Sequence, residues 1–462
     1  MTGAILYDGH NLMLRNATGI GTYTRALAAT ARHLGYRTHL LMSGNAAISK
    51  KDPQLSEVLL FDALLEKKPP PRIRAERLLA KAVGKPFGIR PAPYASVGAV
   101  HESSGIRAGF EKTYIAPSVF DLATSHFRRY RTRATLKLEE APALLHMTHP
   151  TPLTAPGCPN IYTIHDIVPL RLPGTTLDDK HYMLRLLRHL CERADHIVTV
   201  SEFSRQDIIR FFGIAEDSIT NTYQSVRLPQ DLLDKDMDQV AKEISSAFNV
   251  SKGEYYLFFG AIEPKKNIAR MVDAYAASGS PHPLLIVGGL GWMYEREVEM
   301  IEEERFLSYT LQDSKITPQR RVRQIPYLPL AQLVSLIRGA RGVLFPSLYE
   351  GFGLPVLEAM MLGTPVITSN VSSLPEIAGD AALLVDPLDV DDIAGAIRAF
   401  DHDGDLRAEL SKRGIKRAAF FSPAAYEQRI GELYKRLGVE TAVAATPAVT
   451  GTLAAGSASL AQ

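Results

Sequence analysis

The 462-residue sequence has very little cysteine, a single tryptophan and almost no net charge. Cys158 and Cys191 are its only cysteines. Two isolated thiols build neither a disulfide framework nor a metal-ligand spacing, so they read as reduced side chains of a reducing compartment. The 52 basic and 50 acidic residues leave a formal charge of +2. That balance gives no global attraction to nucleic acid, and no nucleic-acid partner is expected. No apolar run approaches the roughly 20 residues of a membrane-spanning helix. The opening MTGAILYDGH has no basic n-region, apolar h-region or cleavage site. The expected location is therefore cytoplasmic, with peripheral contact at the inner membrane face as a variant. With 46% hydrophobic and 22% charged residues, the composition suits large cores and the length suits two domains.

Strand and helix patterns alternate. AILYD, the Gly-rich turn NATGIGTY, the helical stretch TRALAATARHLG and the strand-like THLLMS predict a parallel sheet covered on both faces. APALLHMTHP, NIYTIHD and HIVTVSE continue the series as buried strands ending at polar residues. Residues 51–140 break the rhythm. KKPPPRIRAERLLAKAVGKPFGIRPAP and FRRYRTRATLK are strongly basic, and the segment reads as a basic insertion in a first domain of residues 1–228. A polar linker is expected over 229–253. YYLFFGAIEP then opens a second series, with PLLIVGG, VRQIPYL, GVLFPS and TPVITS, over 254–423. Residues 424–438 hold a helix expected to cross back to the first domain, and 439–462 read as a disordered Ala/Thr/Gly/Ser tail.

The densest constellation is FPSLYEGFGLPVLEAMMLGTPVITS. The run GVLFPS ends at Glu350, Gly351 and Gly353 permit close backbone approach, and Pro355 suits the start of a helix that ends near Gly363. This puts Glu350 at a strand-to-helix turn and Glu358 in the first turn of the helix. Both carboxylates then face one crevice, beside free N–H groups suited to a phosphate. Taken alone, Glu358 also fits as a mere complement to the helix dipole. A second constellation, FFGAIEPKKN, sets Lys265 and Lys266 after a strand end. Two cations there suit a diphosphate leaving group, although a lone Lys pair is more often a solvated surface. His165 and Asp166 end the strand NIYTIHD, and Gly19 and Gly21 lie in the turn after the first strand.

These stretches resemble the E-x7-E signature of family 4 of the retaining glycosyltransferases, which have the GT-B fold. The match runs on through NVSSLPEIAGDAALLVDP. The resemblance implies an α/β architecture of two Rossmann-like domains facing across a cleft. It implies contacts of Glu350 and the following backbone amides, at Phe352, Gly353 and Leu354, with the donor sugar and diphosphate, and of Glu358 with the ribose hydroxyls. Lys266 takes the Lys of the family's phosphate-binding turn, with Lys265 where an Arg is commoner. His165 takes a place near the donor sugar, Gly19 and Gly21 the loop over the donor phosphates, and Tyr327 and Leu328 the base-binding turn. The implied activity is retaining transfer of a sugar from a nucleotide diphosphate donor to a saccharide or polyprenyl-linked acceptor. The nucleotide-sugar is a substrate, and neither a cofactor nor a metal is expected. GIGTYTR, TIHDIVPL and EPKKN are most similar to GDP-mannose-dependent mannosyltransferases of polysaccharide assembly. A nucleotide-sugar epimerase of the same fold and a catalytically silent sugar-nucleotide-binding protein are the alternatives. The D-x-D runs in DVDD (389–392) and DHDGD (401–405) read as helix caps and a turn rather than metal ligands. Lys67 to Arg90 carries eight basic residues against Glu76, with RIRAERLLAKAV as a candidate basic amphipathic helix for an anionic membrane.

Overall fold

A computed structural model of the chain describes residues 3–13, 19–44, 52, 54, 84–94, 107, 109–312 and 315–441. Two parallel sheets organise it. In the first, an eight-stranded sheet, the spatial order is Ile219–Asn221, His196–Thr199, Asn160–Thr163, Leu144–Met147, Ala4–Asp8, Arg37–Ser43, Lys112–Ala116 and Ala92–Tyr94. Only the last strand runs antiparallel to its neighbour. In the second, a six-stranded sheet, the order is Val322–Ile325, Leu284–Val287, Tyr256–Phe259, Gly342–Phe345, Val366–Ser369 and Ala382–Val385, all parallel. The central strands are short, and several, such as Leu144–Met147 and Tyr256–Phe259, are buried throughout. That pattern belongs to strands covered by helices on both faces.

Each sheet has one point where the strand order reverses, and crevices form there at the carboxyl ends of the strands. In the first sheet it lies between Ala4–Asp8 and Leu144–Met147. In the second it lies between Tyr256–Phe259 and Gly342–Phe345. These are the strands that run into Asp8, Thr148, Lys266 and Glu350.

Two organisational expectations are corrected. Residues 51–140 are not one insertion. Lys112–Ala116 is an integral strand, and Val119–Tyr130 is an amphipathic helix burying Val119, Phe120, Leu122, Ala123, His126 and Phe127. The basic cluster in FRRYRTR is partly the last turn of this helix, where Arg128 and Arg129 complement the dipole. The candidate membrane segment lies outside the described residues, except for 84–90.

Residues 229–253 are also more than a polar linker. Asp236 caps a helix over Met237–Phe248 by accepting from the Asp238 N–H. That helix buries Val240 and Ile244 against Leu330–Gly339 of the second domain. Gly339 is the complementary notch, since a Cβ there would lie 2.6 Å from Ile244 Cδ1. Its two apolar positions, four residues apart, are diluted by Asp, Gln, Lys and Glu on the solvent side.

The helix Pro423–Arg436 packs on Gly19–His33 of the first domain. Its Tyr434 hydroxyl sits 3.0 Å from the Tyr7 hydroxyl and 2.9 Å from His146 Nδ1. Residues 442–462, most of the expected tail, lie outside the described residues.

Candidate active site

The second-domain half grows from the switch point of its sheet. After Tyr256–Phe259 the chain passes into a single 3-10 turn, Pro264–Lys266, closed by Asn267 at φ 61°. Asn267 Nδ2 donates to the carbonyls of Pro346 (3.0 Å) and Pro387 (2.7 Å), tying this turn to the end of the neighbouring strand. The tie brings Lys266 Nζ to 2.7 Å from Glu350 Oε1 and 5.0 Å from the Phe345 ring centroid. Lys265 Nζ lies 3.4 Å from Glu263 Oε1. All four charged side chains are largely buried. Burial opposes ionisation of Glu350, but Lys266 and Lys265 outweigh it and hold the carboxyl below its ordinary range. Burial likewise opposes charge on Lys265, and Glu350, Asp166 and Glu263 together overcome it and raise its pKa. The lysine pair is therefore part of a compact cationic and anionic cluster, not a solvated surface.

The Glu350 loop is held by two serines. The Ser372 hydroxyl accepts from the Glu350 N–H at 3.1 Å, and the Ser373 hydroxyl lies 2.9 Å from the carbonyls of both Glu350 and Phe352. Gly353 takes φ 102°, a conformation that suits glycine, and launches the helix Leu354–Met361 with Pro355 in its first turn. Glu358 therefore falls in the second turn, not the first, because the helix starts only at Leu354. No described residue pairs with its carboxylate, and burial pushes its pKa up to about 7. The Phe352 ring turns into the core, edge-on to Phe421 at 5.6 Å, which leaves its backbone for the loop. Tyr327 is 80% exposed, while Leu328 packs against the core.

The first domain faces this loop directly. His165 Nε2 lies 3.0 Å from the Thr148 carbonyl, and its ring meets Tyr23 edge-on at 4.8 Å. Burial lowers its pKa and favours the neutral ring. Gly19 and Gly21 sit inside the first turn of the helix Gly19–His33 rather than in a preceding turn. A Cβ on Gly19 would lie 3.7 Å from Leu354 Cδ1, so the starts of two helices, one from each domain, come together. Gly351 is tighter still. A Cβ there would lie 2.7 Å from the His165 carbonyl oxygen and 2.9 Å from Asp166 Oδ2.

Other contacts across the cleft carried no separate signal in the sequence. Ser201 and Ser204 donate to the Gly351 carbonyl at 2.7 and 3.1 Å. The Glu376 carboxylate accepts from the N–H groups of Glu202 (2.7 Å) and Phe203 (2.9 Å), at the start of the helix Glu202–Phe212. Tyr349 donates to Asp207 at 2.5 Å. The Ser201 hydroxyl also accepts from the Ser204 N–H, so it caps its own helix while serving the opposite domain. In the D-x-D runs, Asp389 caps Val390–His402 and Asp403 caps Gly404–Ala418, as expected for caps.

Comparison with known proteins adds the lineage. The family described as glycosyl transferases group 1 matches residues 240–417, and glycosyltransferase family 4 matches residues 96–226. The chain belongs to the family 4, group 1 glycosyltransferases. The second match includes residues 112–140, in line with their place in the first sheet.

Among relatives of this family, O-antigen chain mannosyltransferase B of Escherichia coli is 34% identical over 57% of this chain and 66% of its own length. A serotype-specific mannosyltransferase WbdA of Escherichia coli is 29% identical over 56% of this chain and 31% of its own length. The chain thus spans less than two thirds of these curated relatives. Two solved structures share the fold. Sucrose-phosphate synthase from Thermosynechococcus elongatus has a TM-score of 0.60 at 17% identity, covering 95% of this chain and 99% of its own. Anabaena Alr3699/HepE, solved in complex with UDP and glucose, has a TM-score of 0.61 at 14% identity, covering 94% and 100%. The two-domain GT-B architecture follows.

Proposed function

We propose that this protein is a retaining glycosyltransferase that moves mannose from GDP-mannose to a saccharide or polyprenyl-linked acceptor in polysaccharide assembly. The observation that carries the reading is the buried Lys266–Glu350 pair at the second sheet's switch point, closed over by the His165–Asp166 strand end. The choice of mannose rests on the relatives, which are O-antigen and serotype-specific mannosyltransferases.

Lys266, with Lys265, would offset the charge that develops on the leaving diphosphate, and the N–H groups at the start of Leu354–Met361 would bind its oxygens. Glu358 would accept from both ribose hydroxyls. In front-face transfer, the bond from the anomeric carbon to the phosphate oxygen breaks while the bond to the acceptor oxygen forms on the same face. The acceptor proton passes to the leaving phosphate, so no protein side chain has to act as a strong base. Domain closure around the cluster would keep water from the anomeric carbon.

These roles place the compensating positive charge on lysines, so transfer should proceed without a divalent metal. The test is release of nucleoside diphosphate from a panel of GDP-, UDP- and dTDP-sugars, with and without glycan acceptors, in EDTA. Acceptor-dependent release from GDP-mannose, with the α-anomer retained in the product, supports the reading. Release without any glycan product, or activity restored only by Mn²⁺, overturns it.

The basic segment from Lys67 to Arg90 would dock the first domain on an anionic leaflet that presents a lipid-linked acceptor. Binding to anionic but not neutral vesicles, lost in high salt, tests that part alone.

A further inference from the structure

Asp8 ends the central strand of the first sheet, beside its switch point, and is fully buried. Its Oδ2 accepts from the Thr148 N–H at 2.5 Å and from the Thr148 hydroxyl at 2.9 Å. Its Oδ1 is buried and lies outside the Thr148 grip, and the His10 backbone N–H adds to the hydrogen bonding of the carboxyl. A carboxyl held wholly out of water and aimed at one threonine calls for a reason beyond packing. Thr148 supplies one, because its carbonyl is the group that meets His165 Nε2 at 3.0 Å. A carbonyl only accepts, so Nε2 must carry the proton and Nδ1 is left as the ring's acceptor. Among the described residues no group pairs with Nδ1. The Tyr23 ring lies edge-on to the imidazole, and its hydroxyl is 3.1 Å from Thr163 Oγ1, so the ring is braced from a second side.

We propose that Asp8 is a positioning residue: by gripping Thr148 at two points it aims the Thr148 carbonyl at His165, fixing the Nε2–H tautomer and reserving Nδ1 to accept a sugar hydroxyl. The inference rests on the glycosyltransferase reading for its substrate, but not for its geometry. The effect passes through an acceptor oxygen and not through charge. Asn at position 8 therefore preserves it, and Ala or Leu abolishes it.

The experiment is ¹⁵N NMR of histidine-labelled full-length protein without substrate, assigned by comparison with His165→Gln, alongside steady-state transfer assays. In the native protein and in Asp8→Asn, His165 shows a protonated Nε2 and a bare Nδ1. In Asp8→Ala the two ring nitrogens move toward a tautomer mixture, and kcat falls roughly 10- to 100-fold, as when other supporting hydrogen bonds behind a functional histidine are lost. The KM for the nucleotide-sugar changes much less. Asp8→Leu fills the side-chain volume without an acceptor and gives the same result if the alanine cavity prevents folding. Native ring-nitrogen shifts in folded Asp8→Ala or Asp8→Leu overturn the proposal, as does a loss in Asp8→Asn equal to that in Asp8→Ala. Because the tautomer is read without turnover, a native protein that shows the expected tautomer but transfers no sugar sinks the functional reading and leaves the positioning intact.

Discussion

The second domain carries its half of the cleft on two short stretches, residues 263–267 and 347–358, which follow adjacent strands at one switch point. The first domain contributes Asp8, Gly19, Thr148, His165 and Ser201, drawn from four strand ends and a helix start. The second half is consequently self-braced: Asn267, Ser372 and Ser373 fix the Lys266–Glu350 pair from within the same domain. The first half is braced partly by its opposite. Ser201 and Ser204 donate to Gly351, and Glu376 of the second domain caps a first-domain helix. A locally encoded site tolerates domain motion, whereas a dispersed one depends on closure.

The sharpest way to break this contrast is within the self-braced half. Lys266→Ala should lower turnover by about 10²–10³, equivalent to about 2.7–4 kcal/mol of transition-state stabilisation. Lys265→Ala should cost less, since Lys265 contacts Glu263 directly and acts on Glu350 only at longer range. Thermal unfolding must accompany the kinetics, because Lys266→Ala also strips Glu350 of its partner. Equal small losses from both variants would show that neither cation faces the leaving group.

Next comes the tight contact of the two domains at Gly351. Gly351→Ala would push a methyl group into the His165 carbonyl and Asp166. Overpacking of this kind costs about 1–3 kcal/mol, and the expected relief is a parting of the domains rather than unfolding. Small-angle scattering should report a more open particle, with activity down about 10- to 100-fold and melting of the separate domains little changed. A native scattering profile with native activity would mean that the contact is not needed for closure.

A third test separates the two carboxylates by pH. Burial raises the folded-state pKa of Glu358 to about 7, above its ordinary value near 4.5. Its protonated form is thus favoured in the fold, and its contribution to stability is present below about pH 4.5 and lost as pH rises toward 7. Ribose hydroxyls require the ionised form, so nucleoside diphosphate affinity should rise as pH climbs from 6 to 8, by up to about tenfold per unit below the pKa. Calorimetric titration of Glu358→Gln should lose that part of the slope. The Glu350 carboxyl is held down by Lys266 and Lys265, so Glu350→Gln should keep the slope while impairing transfer. An unchanged slope in Glu358→Gln would remove Glu358 from the ribose.

The smallest expected effect is at the latch. Glu376→Ala removes the carboxylate that accepts from Glu202 and Phe203, a loss of about 0.5–2 kcal/mol for a helix cap. The cost should fall on closure. KM should rise a few-fold at nearly constant kcat, with Glu376→Gln intermediate. A fall in kcat alone would place Glu376 in the chemistry instead.

The second-domain site was legible because its signals are contiguous. Apolar runs end at polar residues, glycine and proline frame a helix start, and two carboxylates stand at a fixed interval. The sequence misled where amphipathic helices carry many charges. FRRYRTR reads as a bare basic cluster, although Val119, Phe120 and Ala123 precede it at helical spacing and Phe127 continues their face. Met237–Phe248 reads as linker because Val240 and Ile244 are its only fully buried side chains, with Met237 and Phe248 half-buried at its ends. The resemblance implies a backbone role for Phe352, but where its ring goes depended on Phe421, far along the chain.

By itself, the sequence determined the alternation of strands and helices, the lysine turn after one strand, and the glutamate turn and helix after another, since each depends on neighbours a few residues apart. Only the tertiary structure decided which hydroxyls brace Glu350, that Gly351 meets His165, that Glu376 caps the opposite domain and that Asp8 reaches His165 through Thr148. Those contacts join residues from 17 positions apart (Thr148 and His165) to 186 (His165 and Gly351), and nothing local in a chain distinguishes a serine that caps its own helix from one that also holds another domain's carbonyl.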